Sequence, residues 1–176
     1  EAYVDFGGES CVPFVRRGEP ANLMVVQTFS KSRSLAGGRL GLCVAPEELT
    51  ADLKRVKYSM NPYNVNRMTE AAGIAALADR AYFERNCAAI CATRAQATAG
   101  LRQRGFTVLD SSANFVFARH PRAPGGELYR RLKEQGVLVR HFDTPRLRDW
   151  LRITIGSPEQ MQGLLQVLDR ILPPQA

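Results

Sequence analysis

No apolar run in this 176-residue chain approaches the roughly 20 residues that a membrane-spanning helix requires. A bilayer is therefore not an expected partner. No basic-then-apolar leader is visible, and the chain opens inside what reads as a strand. Histidine is scarce, at two, and cysteine stops at four: Cys11, Cys43, Cys87 and Cys91. None of these forms a Cys-x-x-Cys pair. Neither His120 nor His141 stands at ligand spacing or has partners for a catalytic triad, so both are expected in packing or surface roles. Cys87 and Cys91 stand four apart on an expected helix, where they share a face. They read as buried, reduced thiols, which implies a reducing, cytoplasmic compartment. Lysine is rare as well: of 24 basic residues only 4 are Lys and 20 are Arg. The arginines are scattered, with no basic block interleaved with aromatics, so nucleic acid is not an expected partner. Internal repeats and low-complexity tracts are missing too.

What remains is the composition of a globular protein with a real core. Hydrophobic residues make up 45%, and the mean hydropathy is -0.22. The net charge of +7 suits small anionic substrates.

One stretch organises the chain: Thr28-Phe-Ser-Lys-Ser-Arg-Ser-Leu-Ala-Gly-Gly-Arg-Leu-Gly41. It follows an apolar run, Leu23 to Val26, that reads as a buried strand. Lys31 sits among the hydroxyls of Thr28, Ser30, Ser32 and Ser34, with three glycines and Arg39 following. A lysine that forms an imine needs a lowered pKa, which neighbouring cations and a bound cofactor supply. Small hydroxyl residues and an arginine hold a phosphate, and glycines let backbone approach it. Taken alone, Ser-Lys-Ser-Arg-Ser is equally the composition of a solvated basic loop.

The pattern Thr-x-Ser-Lys-Ser, then Leu-Ala-Gly-x-Arg-x-Gly, resembles the cofactor-lysine segment of fold-type I pyridoxal 5'-phosphate (PLP) aminotransferases. The nearest branch is that of the histidinol-phosphate aminotransferases. The resemblance makes Lys31 the lysine that bonds the cofactor. It makes Thr28, Ser30 and Arg39 ligands of the cofactor phosphate. Gly38 departs from the branch, which more often has leucine there. Tyr3 matches the tyrosine of an Asp-Glu-Ala-Tyr strand end that bonds the cofactor ring oxygen; on the residues alone a packed strand aromatic is the better reading. The aspartate of that motif, which pairs with the pyridine nitrogen, would precede Glu1. Asp5 is not expected to replace it, because alternation along a strand cannot move it there. The family's phosphate loop and ring-stacking aromatic lie further upstream. The resemblance thus covers the C-terminal half of the family's length, and the chain reads as a fragment, inactive by itself.

The implied fold class is α/β. Residues 1–80 form part of the PLP-binding large domain, with a mixed, mostly parallel sheet. Residues 81–176 form a small α+β domain with a linking helix. In chain order, Glu1 to Phe6 is expected as a strand, Ser10 to Pro20 as a loop, and Arg39 to Ala45 as a strand. A helix starts at Pro46. Asn61 to Asn66 is a turn-rich loop; in the family such a loop lies near the dimer interface. A long alanine-rich helix runs to about Arg104, capped at Asn66 or Thr69 and broken and recapped at Asp79, with Gly105 as its stop. Strands follow at Phe106 to Leu109 and Ala113 to Ala118, then a helix from Glu127 to Gln135. Further strands span Val137 to Phe142 and Trp150 to Ile155. The last helix is capped by Ser157, with Pro158 at its first position. Pro173-Pro174 ends the chain.

Two arginines stand inside apolar strands: Arg140 in Val-Leu-Val-Arg and Arg152 in Trp-Leu-Arg-Ile-Thr-Ile-Gly. Such a placement is costly unless the guanidinium meets an anion, either a structural ion-pair partner or a ligand. In the resembled branch these two arginines grip the substrate phosphate, because histidinol phosphate has no carboxylate. Asn114 also recurs there, and a strand-end amide bonded to backbone accounts for it. The resemblance implies amino-group transfer between glutamate/2-oxoglutarate and histidinol phosphate/imidazole-acetol phosphate, in histidine biosynthesis, by a homodimer. Other readings keep the fold: an aromatic or other amino-acid aminotransferase, a phosphothreonine-type decarboxylase, or a non-catalytic effector domain of a regulator.

Overall fold

The structure, a computed structural model, describes residues 1–172. The expected proline pair Pro173-Pro174 lies outside the described residues. The chain divides into Glu1–Cys87 and Ala88–Ala176, each a compact unit.

In the first unit the opening residues are not a strand. Val4–Phe6 form a single 3-10 turn, closed by Gly7 at φ 102 donating to Val4 O. Only Phe6 of this segment is fully buried. A left-handed glycine directly after it bends the chain where a strand would have to run on. The expected loop from Ser10 to Pro20 holds a short helix, α1 (Val12–Arg17), with proline in its first turn and Gly18 in the left-handed region at its end. Six residues are too few for a helical apolar period to show in the sequence.

β1 (Val25–Thr28) lies two residues beyond the start of the apolar run and pairs antiparallel with β2 (Gly41–Val44), Val25 facing Val44 and Thr28 facing Gly41. Every strand pair among the described residues is antiparallel. The mostly parallel sheet expected of residues 1–80 is therefore represented here by one antiparallel ladder. The chain turns back within Phe29 to Leu40, and the Phe29 amide donates to the Leu40 carbonyl at 3.0 Å.

α2 (Glu47–Met60) starts behind Pro46 with two glutamates in its first turn, where they favour the positive end of the helix dipole. It buries none of its own side chains, and Met60 is 81% exposed. α3 (Arg67–Ala78) is capped by Asn66, whose side chain accepts from Thr69 N at 2.9 Å. Asp79 ends α3, and its carboxylate accepts from Tyr82 N at 3.1 Å to start α4 (Arg80–Gln103). The alanine-rich run thus breaks at Asp79 as its sequence indicates.

The second unit adds β3 (Thr107–Val108), β4 (Phe115–Arg119), α5 (Gly125–Glu134), β5 (Arg140–His141), β6 (Leu151–Thr154) and α6 (Pro158–Ile171). Gly105, at φ 83, makes the turn out of α4. The sheet order is β3-β4-β6-β5, with α5 and α6 supplying the helical layer. Alternation decides the two faces. Val116, Ala118, Leu151 and Ile153 point into a core shared with Leu128 and Leu132 of α5, Leu164, Val167 and Leu168 of α6, and Leu101 of α4. Burying each of the larger side chains contributes about 1.5–3 kcal/mol. α5 begins two residues before Glu127, at Gly125, where a Cβ would come within 2.6 Å of the Arg148 carbonyl oxygen. β5 is shorter than Val137 to Phe142: only Arg140 and His141 pair, while Leu138 stands 77% exposed. α6 carries a complete capping box: Ser157 Oγ accepts from Gln160 N, and the Gln160 side chain accepts from Ser157 N.

Candidate active site

In the first unit, β1 delivers Thr28 to the edge of a tight loop. Thr28 Oγ1 donates to Ser30 Oγ at 3.0 Å and accepts from Ser30 N at 3.1 Å, so the two hydroxyls converge. Phe29 is buried, and its carbonyl accepts from Leu35 N at 2.9 Å, closing the loop. Ser32 is buried as well and donates to the Asp5 carboxylate. With Phe29 and Ser32 turned inward, Lys31 is exposed, and its Nζ lies 5.7 Å from the centroid of the Tyr3 ring. Tyr3 and Lys31 are thus neighbours, although Tyr3 precedes a turn rather than lying in a strand. The same turn gives Asp5 its position: it secures the lysine loop through Ser32. Arg39 follows a 3-10 turn at Ala36–Gly38, sits at φ 52 and donates to Ala36 O at 2.8 Å with its side chain exposed. Its bond stays within its own turn and does not reach Thr28 or Ser30.

Two hydroxyls, an exposed ammonium beside an aromatic ring and an exposed guanidinium make a donor set that fits PLP, a phosphorylated aldehyde. The hydroxyls and the guanidinium suit its phosphate. The lysine, as its neutral amine, would be the nitrogen nucleophile for its carbonyl.

Two further residues hold this region, and sequence reasoning missed both. The Glu1 carboxylate accepts from Ser10 Oγ at 2.9 Å, Cys11 N at 2.6 Å and the Gln27 amide at 2.9 Å. Burial opposes its charge, but these bonds, led by that of Cys11, hold its carboxyl below the ordinary range. Arg33 donates to Ala76 O at 2.6 Å, and its guanidinium lies 4.0 Å from the Phe83 ring centroid and 5.6 Å from that of Phe29. Nothing local in the sequence marks the bonds of Glu1 to Gln27 and of Arg33 to Ala76, which span 26 and 43 residues.

In the second unit, Arg140 and Arg152 face each other directly across the β5–β6 ladder. Like charges so placed repel. None of the ion pairs among the described residues involves either arginine. Arg152 Nε is buried without a hydrogen-bond partner. The guanidinium of Arg152 lies over Phe115, and Phe142 flanks both arginines. Of the two alternatives open to these arginines, an internal acidic partner is not found among the described residues. Arg140 is exposed and Arg152 half-buried, and guanidinium forks so placed have the chemistry to receive an anion.

The other candidates have packing roles. The Asn114 main-chain carbonyl accepts from Ile155 N at 2.9 Å, a ladder bond that does not depend on its side chain. His141 Nε2 lies 2.7 Å from Arg148 O, with its ring stacked on Tyr129. None of the four cysteines is in a disulfide: Cys87 is buried and Cys91 half-buried, whereas Cys11 and Cys43 are exposed.

His120 is buried edge-on against Phe106 and accepts from Arg122 N at 3.3 Å. Burial pushes its imidazole below the usual histidine value; a backbone bond at Arg104 opposes this, and the Arg122 charge adds to it. The folded state therefore holds this ring neutral, while the unfolded chain protonates near pH 6.5. Its contribution to stability is complete above that pH and is lost as pH falls through it toward the folded value. Thermal midpoints measured from pH 7.5 to 5 should decline less in His120→Gln, which keeps an acceptor but does not titrate. Parallel declines in the two proteins would show that His120 is not the group responsible.

The aminotransferase class I and II family matches residues 1–168. Histidinol-phosphate aminotransferase 1 of Pseudomonas aeruginosa is 54% identical over 168 residues, covering 96% of this chain and 47% of its own length. The histidinol-phosphate aminotransferase of Aromatoleum aromaticum is 50% identical over 172 residues, covering 98% and 48%. The crystal structure of the histidinol-phosphate aminotransferase from Clostridium acetobutylicum matches with a TM-score of 0.85 at 24% identity, over 97% of this chain and 52% of that one. At that identity the likeness speaks for the fold. The chain spans about half the length of the curated relatives it matches.

Proposed function

Since the chain belongs to the aminotransferase class I and II family and carries its PLP-dependent fold, we propose that it supplies the cofactor lysine and the substrate arginines of a histidinol-phosphate aminotransferase. The reaction is transfer of an amino group between histidinol phosphate and 2-oxoglutarate, as in histidine biosynthesis. The observation that carries the substrate choice is the Arg140–Arg152 pair, two unneutralised guanidinium groups in direct register. The reading includes a cytoplasmic homodimer. No helix among the described residues is long and apolar enough to cross a membrane. The exposed side chains of Met60, Tyr63 and Met68 support a covering surface on the first unit.

In this reading Lys31 bonds the cofactor, Thr28, Ser30 and Arg39 hold its phosphate, and Tyr3 donates to its ring oxygen. The bound cofactor supplies an electron-withdrawing ring that takes up the electron pair released at the substrate carbon. Lys31 would hold the cofactor and, as a free amine, would serve as the general base and acid at the substrate carbon. Arg152 and Arg140 orient the substrate through its phosphate. Glutamate presents its carboxylate to Arg152 in the other half-reaction.

The experiment is a comparison of amino donors with the full-length protein. A desolvated charge pair is worth about 2–5 kcal/mol, so kcat/KM for histidinol phosphate should exceed that for phenylalanine or tyrosine by at least about thirtyfold. A preference for the aromatic amino acids would move the assignment to another branch of the same family.

A further inference from the structure

Phe142 lies against both arginines of the second unit. The Arg140 guanidinium carbon is 5.2 Å from its ring centroid and that of Arg152 is 6.0 Å. Arg152 also has Phe115 at 5.4 Å. The Phe142 ring is itself braced: Phe117 lies 6.3 Å from it, and Phe117 stacks on Trp150 at 5.6 Å.

Two cations opposite each other on an antiparallel pair need something to hold them together. A carboxylate would do so, but it would also occupy the N–H forks that an incoming anion requires. An aromatic ring attracts a guanidinium through its face. It has no lone pair to engage the N–H edges, which stay free.

We propose that Phe142 is a positioning residue, the shared aromatic counter-charge of Arg140 and Arg152. It steadies both guanidinium groups while leaving their N–H edges to a ligand, and so favours a doubly charged phosphate over a single carboxylate. This rests on the reading that the two arginines receive the substrate anion.

The test uses the full-length PLP-loaded enzyme as wild type, Phe142→Leu, Phe142→Tyr and Phe142→Glu, with Arg152→Ala as reference. Steady-state kinetics are measured with histidinol phosphate and with glutamate, and inorganic phosphate is titrated as an inhibitor. Phe142→Leu should raise the KM for histidinol phosphate and the inhibition constant of inorganic phosphate by about tenfold, with kcat and the KM for glutamate changed by less than about threefold. Phe142→Tyr, which keeps the ring, should match wild type. Phe142→Glu should weaken phosphate binding more than leucine does, because its carboxylate takes the forks. Unchanged phosphate binding in Phe142→Leu overturns the proposal. Should that variant not fold, equal phosphate binding in the tyrosine and glutamate variants does the same. If Arg152→Ala loses phosphate while Phe142→Leu keeps it, only the role of Phe142 falls. If Arg152→Ala keeps it too, the anion-site reading falls with it.

Discussion

Replacing Lys31 with alanine is expected to remove covalent cofactor from the full-length protein and to lower turnover by about four orders of magnitude, the upper end of what a positioned acid–base group contributes. The expectation follows from where the loop puts this side chain. Phe29 and Ser32 anchor the loop from within, and Lys31 projects outward beside Tyr3. Borohydride reduction followed by denaturation reads the bond directly, independently of activity: wild type should retain the cofactor chromophore and Lys31→Ala should lose it. Lys31→Arg keeps the positive charge, but its guanidinium does not give up a proton at neutral pH, so it should be as inactive as alanine. Equal retention of cofactor in wild type and Lys31→Ala would place the covalent bond on another residue.

The second large effect is expected at Arg152. Its Nε is already buried and unpartnered, and its neighbours on the sheet are Phe117 and Arg140. Removing one partner of a hydrogen-bonded charge pair costs about 2–5 kcal/mol, and Arg152 is half-buried, so Arg152→Ala in the full-length enzyme should lower kcat/KM by about 30-fold or more. The loss should appear with both histidinol phosphate and glutamate, because in the proposed reading each would present its anion to this residue in turn. Arg140→Ala should separate the two donors, with the larger loss for histidinol phosphate. Equal losses for both in Arg140→Ala would make that residue structural. Wild-type kinetics in Arg152→Ala would remove the anion site altogether.

The sequence revealed those parts of the structure that local chemistry decides. Ser157-Pro158 with Gln160 announces a helix start because the capping box is made within four residues. Asp79 marks a break because its carboxylate caps the next turn of its own chain. Lys31, Thr28 and Ser30 are legible for the same reason: their relation is fixed by one loop. Elsewhere, distant partners decide. Glu1 to Phe6 has the alternation of a strand, but Gly7 turns the segment and only Phe6 needs burial. The face-to-face placement of Arg140 and Arg152 depends on which strands become neighbours, and no spacing along the chain encodes that. The bonds of Glu1 to Gln27 and of Arg33 to Ala76 span 26 and 43 residues, beyond the reach of pattern or propensity.

Arg39 holds a left-handed backbone conformation at φ 52, one that costs a side-chain-bearing residue about 1–2 kcal/mol and costs glycine almost nothing. Stability alone would therefore favour glycine there, as it does at the left-handed Gly18 and Gly105. Keeping arginine sets resilience against ligand capture. Selection of heat-tolerant variants without a phosphorylated ligand present would drift toward Arg39→Gly and discard the proposed phosphate contact while improving the score. The same selection run with the ligand bound would reverse the pressure at that one residue.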